Sequence, residues 1–344
     1  MNFWKTLPRP IFVLAPMADV TDAAFRSIIA KYGKPDVFWT EFVSADGLAL
    51  APEASRRKLL VDLMYTEAER PIVAQFFTAN PEHMKKAAEL ARELGFDGVD
   101  INMGCPDRSI EKQNAGAALI KNPKLAREVI RAAKEGARST SSGQADLPVS
   151  VKTRVGYNKV ELETWLPELL SENPAVITIH ARTRKEMSKV PARWEYVKRA
   201  VEIRNEMKSD TLIFGNGDVE GMSDALQKAN ETGCDGVMLG RAIFGNPFLF
   251  AKKKCPEGIE GLSIDSARDE ISKKEISKRL QVMVEHTKLF QELLGEWKNF
   301  SIMKKHYKAY VNNFDGAAEL LAKLMDCDSA SEVEGVVDNF LRGT

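Results

Sequence analysis

Short apolar runs alternate with amphipathic stretches along the first 250 or so residues of the chain. Eight runs, at 11–14, 37–42, 71–76, 98–102, 148–153, 175–180, 211–214 and 236–239, have the length and the Gly, Pro and polar flanks of buried strands. Between them the spacing predicts helices. Thr21 and Asp22 can cap one that runs through Tyr32. Others are expected at 81–94, from Pro123 to about Arg138, and near 161–171, 194–208 and 222–232. Residues 43–69 read as an irregular insertion with an exposed Arg56-Arg57-Lys58, and 139–146 as a polar loop. The pattern then changes. Residues 251–272 are rich in Pro, Gly and charge and read as a linker, whereas 273–344 repeat apolar positions at helical spacing, as in Val282, His286, Leu289, Phe290 and Leu293.

Eight strands, each followed by a helix or loop, predict an α/β fold: a (β/α)8 TIM barrel over 1–250, then a small all-helical domain at 273–344. A doubly wound open sheet is the alternative. The barrel makes a specific demand, that functional residues collect at the carboxyl ends of the strands. Those positions carry Pro16-Met17-Ala18, Glu41, Gln75, Asn102 with Cys105, Lys152 with Arg154, His180 with Arg182, Asn216-Gly217-Asp218 and Gly240-Arg241.

Composition narrows the partners. The 344 residues carry a formal net charge of zero, so a nucleic acid would have to meet a local basic surface. No apolar run approaches the length of a membrane span, and the opening residues lack the apolar core of a signal peptide. Cys105, Cys234, Cys255 and Cys327 are scattered without a CxxC pair, which argues against a disulfide framework or a metal site. A reduced, cytoplasmic monomer is expected.

Two strand ends point to a ligand. Gly215-Asn216-Gly217-Asp218 and Gly240-Arg241-Ala242 occupy the usual phosphate site of such barrels, with Arg241 as a forked donor. Ordinary turn chemistry would explain the glycines but not the arginine. On the fifth strand, alternation puts Ser150, Lys152 and Arg154 on one face. A buried Lys152 needs an anionic partner, which a cofactor that becomes anionic during turnover would supply; two solvated cations on a surface strand are the alternative. His180 closes its strand in a ligand-contacting or a structural role. Cys105, in Asp100-Ile101-Asn102-Met103-Gly104-Cys105-Pro106, is either a reactive thiol in a fixed turn or a buried structural one.

Taken in order, Ala15-Pro16-Met17-Ala18-Asp19-Val20-Thr21-Asp22 with Phe25-Arg26, Gln75, Asn102-Met103-Gly104-Cys105-Pro106, Gly116-Ala117-Ala118-Leu119, Lys152-Thr153-Arg154-Val155-Gly156, His180-Ala181-Arg182-Thr183-Arg184, Asn216-Gly217-Asp218 and Gly240-Arg241 resemble the motifs of the tRNA-dihydrouridine synthases. They cover nearly all of residues 11–250, and the helical C-terminal part resembles that family's tRNA-binding domain. The resemblance implies an FMN enzyme that reduces particular tRNA uridines to dihydrouridine with electrons from NADPH. It implies that Pro16, Met17, Ala18, Gln75, Lys152, His180, Asn216, Gly217, Asp218, Gly240 and Arg241 hold the flavin, that Asn102 and Arg154 place the uridine, and that Cys105 donates a proton. Residues 185–191, Lys-Glu-Met-Ser-Lys-Val-Pro, depart from the family's usual Gln and aromatic, which leaves the reduced position open.

Two competing functions stand beside this one. A flavin barrel could act on a small free pyrimidine; Trp297-Lys298 and Lys304-Lys305-His306-Tyr307-Lys308 argue instead for a polynucleotide, unless they are a solvated helix face. A non-enzymatic RNA-binding barrel would not need Cys105.

Overall fold

The computed structural model describes residues 2–139, 145–251 and 273–343. Most of the segment read as a linker, 252–272, lies outside the described residues. The strands are β1 (Ile11–Leu14), β2 (Phe38–Ser44), β3 (Ile72–Phe77), β4 (Gly98–Met103), β5 (Val149–Arg154), β6 (Val176–His180), β7 (Leu212–Asn216) and β8 (Gly236–Leu239). All pair in parallel, in the order β1-β8-β7-β6-β5-β4-β3-β2. A bridge between Val13 and Val37 joins the two ends of that order. There the Asp36 N–H donates to the Phe12 carbonyl (2.9 Å), and the Phe12 N–H to the Asp36 carboxylate (2.7 Å). The sheet therefore closes into a (β/α)8 barrel, and the open-sheet alternative falls.

By its contacts the chain divides into two compact units. Met1–Ala18 with Pro35–Arg241 form one, and Asp19–Lys34 with Ala242–Thr344 the other. In the first, helices flank the strands for reasons visible locally. Asn80 accepts from the N–H of Glu82 (3.0 Å) at the start of the helix Pro81–Glu93, and Asn122 from Leu125 (3.2 Å) at Pro123–Gly136; each has proline where the missing N–H costs nothing. These two helices pack on one another, and the first also lies against β3 and β4. The stretch 43–69 is more regular than its sequence suggests. Val43 and Ser44 continue β2, and the helices Ala45–Leu50 and Glu53–Val61 follow. Gly47 and Pro52 obscure the helical period there, while the Ser44 hydroxyl caps the first by accepting from the Gly47 N–H (3.1 Å).

The second unit is helical. Asp22 caps Ala23–Tyr32 through the Phe25 N–H (2.9 Å), as expected. That helix packs on Lys273–Leu294, which buries Leu280, Met283, His286, Thr287, Phe290 and Leu294; Met303–Tyr310, Ala317–Asp326 and Ala330–Gly343 complete the unit. No helix among the described residues is long and apolar enough to cross a membrane.

Candidate active site

The interior of the barrel has two layers. At the amino ends of the strands Val13, Trp39, Val73, Val176, Leu212, Phe214 and Met238 form one apolar cluster with Trp4. Trp4 is 1% exposed, its ring 5.7 Å from Trp39 and 5.6 Å from Phe214. Two residues further along the same inward faces, the side chains turn polar. Gln75, Asp100 and Ser150 are neighbours across β3, β4 and β5. Asn102, Lys152 and Thr178 form the next row, and Arg154, His180 and Asn216 the one beyond.

These rows are hydrogen-bonded into a fixed order. The Ser150 hydroxyl donates to one oxygen of Asp100, and Gln75 Nε2 donates to the other (2.6 Å). Gln75 Oε1 accepts from Asn102 Nδ2 (3.1 Å), and Asn102 Oδ1 accepts from the backbone N–H of Gly104 (3.1 Å) and of Cys105 (2.9 Å). The turn bearing Cys105 is thus tied to the barrel interior. It is also pinned from outside, where the Ala117 N–H donates to the Cys105 carbonyl (3.0 Å). Gly116 sits there at φ +60°, and a Cβ on it would stand 2.8 Å from that carbonyl oxygen, so glycine is required.

Cys105 is half-buried and packs against the cluster of Phe77, Ile110 and Ala115. Burial pushes its pKa above the ordinary thiol value, so it is protonated at neutral pH. Burial also lifts the Asp100 carboxyl to about 6 and pulls the Lys152 ammonium down to about 8, the latter helped by the Arg154 charge. Lys152 Nζ donates to Asn216 Oδ1 (3.3 Å), a neutral partner, and remains partly exposed. His180 is driven well below its ordinary value by burial and by Arg154, Lys152 and Arg182. Arg182 Nη1 lies 3.2 Å from His180 Nε2. A guanidinium only donates, so that nitrogen accepts and the ring proton sits on Nδ1.

Asp218 takes two guanidiniums. Arg182 and Arg241 donate to its two oxygens, and the Ala192 N–H adds a third bond (2.8 Å). The Arg182 hydrogen bond leads in holding its carboxyl below the usual range. Trp194 Nε1 donates to the Gly217 carbonyl (2.8 Å), and the Trp194 ring leaves no room for a Cβ at Gly215. Where β1 and β8 end, Met17 Sδ lies close to Gly240, with Pro16 buried and Ala18 exposed. Lys152, Arg154, Arg182 and Arg241 outnumber Glu41, Asp100 and Asp218 by one, and Arg182 and Arg241 share Asp218, so the mouth of the barrel keeps a modest surplus of positive charge.

Every strand-end residue singled out in the sequence lies at this end of the barrel. Two details differ from expectation. Arg154 is only 7% exposed and spends its donors on the backbone: Nε on the Gly104 carbonyl (2.7 Å), and Nη1 on those of Thr183 and Met187 (3.2 Å each). In the second unit His306 and Tyr307 are buried rather than displayed; Lys305 and Lys308 are exposed and Trp297 is 40% exposed. Asp100 and Ser150 were not among the expected site residues, although both share the inward face of named neighbours. Among the described residues no group of three His, Cys, Asp or Glu side chains is placed to hold a metal ion.

Comparison with known proteins gives a consistent result. A family model described as "Dihydrouridine synthase" matches residues 13–343. A Bacillus subtilis (strain 168) protein named "Probable tRNA-dihydrouridine synthase 2" is 40% identical over 343 residues, 99% of this chain and 97% of that protein. A Staphylococcus epidermidis protein named "Probable tRNA-dihydrouridine synthase" is 38% identical over 341 residues, 98% of this chain and 96% of that one. In fold, the chain resembles 6-hydroxypseudooxynicotine amine oxidase of Pseudomonas geniculata N1, with a TM-score of 0.51 at 13% identity; the match covers 71% of this chain and 46% of that one.

Proposed function

Because the chain belongs to the dihydrouridine synthase family, we propose that it reduces particular uridines of tRNA to 5,6-dihydrouridine, with FMN as its flavin, NADPH as electron donor and Cys105 as proton donor. The observation that carries the reading is the half-buried Cys105 thiol held just past the end of β4, near Lys152 and Arg154.

The donor set fits FMN. Arg241, with Asn216, Gly217, Asp218 and Gly240, would hold its phosphate end, and Pro16, Met17, Ala18, Gln75, Lys152 and neutral His180 its ring. A flavin held there would supply the hydride that reduction of the uracil needs at C6. The chain supplies the rest. Cys105 gives its proton to C5, and Asn102 orients the thiol through the backbone. Arg154 joins the Cys105 turn to the segment after β6 and, in this reading, helps place the base. A tRNA uridine is normally stacked and must be flipped to reach a barrel mouth. We assign the helical residues 273–344 to holding the tRNA, and 1–250 to the chemistry.

Purified protein should release FMN on denaturation, and its reduced form should be reoxidised by unmodified tRNA but not by free uridine monophosphate. Release of FAD or of no flavin, or oxidation by the free nucleotide alone, would refute the assignment. Lys152→Ala should weaken FMN binding and slow reduction by NADPH, since the ammonium offers its charge to an electron-rich ring. Equal affinity and equal rate in a rapid-mixing experiment would remove Lys152 from the flavin site.

A further inference from the structure

The hydrogen-bonded row beneath Cys105 ends at a residue to which the proposed reaction gives no task. Asp100 is 1% exposed, and its two oxygens receive Ser150 Oγ and Gln75 Nε2. At the far end of the row stand the Gly104 and Cys105 backbone N–H groups, which can only donate. An ionised carboxylate can only accept. Between these two ends lie two primary amides, each nearly symmetric and able to turn over. Only one arrangement satisfies every group. Gln75 must direct its NH2 to Asp100 and its oxygen to Asn102, and Asn102 must direct its NH2 to Gln75 and its oxygen to Cys105.

We propose that Asp100 is a positioning residue for proton delivery: as the terminal acceptor, it fixes the Gln75 and Asn102 amides and, through them, the turn that carries the Cys105 thiol. Without that acceptor the Gln75 amide would keep a buried donor with no partner, and turning over to satisfy it would present the wrong group to Asn102. The Cys105 N–H would then lose its fixed acceptor. A proton donor must lie within hydrogen-bond reach of the carbon it protonates, and misplacement by about 1 Å costs roughly 100-fold. Asp100 acts here by accepting a hydrogen bond. An amide at position 100 could do the same, taking Gln75 Nε2 on its oxygen and donating its NH2 to Ser150 Oγ, which can accept.

This inference rests on Cys105 as the proton donor, and its test separates the two ideas. Asp100→Ala and Asp100→Asn are compared with the unaltered holoenzyme in three measurements: reduction of the flavin by NADPH, reoxidation by tRNA, and alkylation of Cys105 by iodoacetamide followed on its own peptide by mass spectrometry. Asp100→Ala should slow reoxidation by roughly 10–100-fold, slow reduction far less, and change the alkylation rate several-fold. Asp100→Asn should restore all three to within about threefold. The proposal is overturned if Asp100→Ala reoxidises at the unaltered rate, if the two variants are equally impaired, or if reduction falls as far as reoxidation. Should Asp100→Ala fail to fold, Ser150→Ala decides: it loosens the carboxylate but keeps it, and should slow reoxidation selectively by about 3–10-fold; an unchanged rate overturns the idea. Failure of the unaltered enzyme to be oxidised by tRNA would reject the function instead, and the alkylation measurement would still test the coupling of Asp100 to Cys105.

Discussion

Cys105→Ala should leave FMN bound and reducible by NADPH, yet slow reoxidation of the reduced enzyme by tRNA by roughly 10²–10⁴-fold. That range corresponds to about 2.7–5.5 kcal/mol of barrier. The asymmetry follows from the chemistry: electrons enter the flavin without a proton from the thiol, whereas reduction of the uracil C5–C6 bond needs a proton at C5. Cys105→Ser should be nearly as slow, because a hydroxyl is a much weaker acid than a thiol. The pH dependence has a definite sign. A general acid works when protonated, so the reoxidation rate should be flat at neutral pH and fall as pH rises through the thiol's pKa. Burial raises that pKa, so the fall should come above the ordinary thiol range of about 8.5. Cys234 and Cys327 provide controls. Both are buried, and their S–H groups donate to the Gly236 carbonyl (3.2 Å) and the Lys323 carbonyl (3.4 Å). A Cys105→Ala enzyme oxidised at the unaltered rate would make the thiol structural and require another proton source.

The barrel was legible because its strands are buried on both faces and read as unbroken apolar runs. Their ends were less so. β7 continues past Phe214 through Gly215 and Asn216, and β5 through Arg154, because the ladder there is carried by backbone groups that side-chain polarity does not report. Those polar extensions are where the candidate site lies, so the features that blurred the strand ends also marked it. Asp100 illustrates the limit of such reading. Its place two residues before Asn102 put it on the inward face, but the proton order of the row depends on partners from β3 and β5 that only the folded register brings together. Arg154 illustrates it again. Its charge suggested a ligand, but nothing in its own strand reported the three backbone carbonyls, 29 to 50 residues away in the chain, that also hold it. His306 and Tyr307 share a basic stretch with three lysines, and the helix period, not the composition, decides that these two face inward.

That period also selects the variants for testing how tRNA is held. Cutting away the C-terminal helices would remove the partners of Phe25, whose ring lies 5.5 Å from His286 and 5.2 Å from His306, and would confuse lost binding with lost folding. Point changes avoid this. Lys304 is mostly covered and paired with Asp328 (3.2 Å), so reversing its charge would disturb the unit. Lys305 and Lys308 are exposed; Lys305 meets Asp19 at 3.3 Å, an exposed pair worth little. Lys305→Glu with Lys308→Glu should therefore leave the melting temperature nearly unchanged and weaken tRNA binding steeply at low salt. Two lost phosphate contacts should lower the slope of log affinity against log salt by about 1.4–1.8. The variant's deficit should thus shrink by roughly tenfold between 50 and 200 mM salt. Flavin reduction by NADPH should not change, since neither lysine belongs to the barrel unit. A binding loss of the same size at every salt concentration would mean that the two lysines act on the structure of the helical unit, and that the phosphates are met elsewhere.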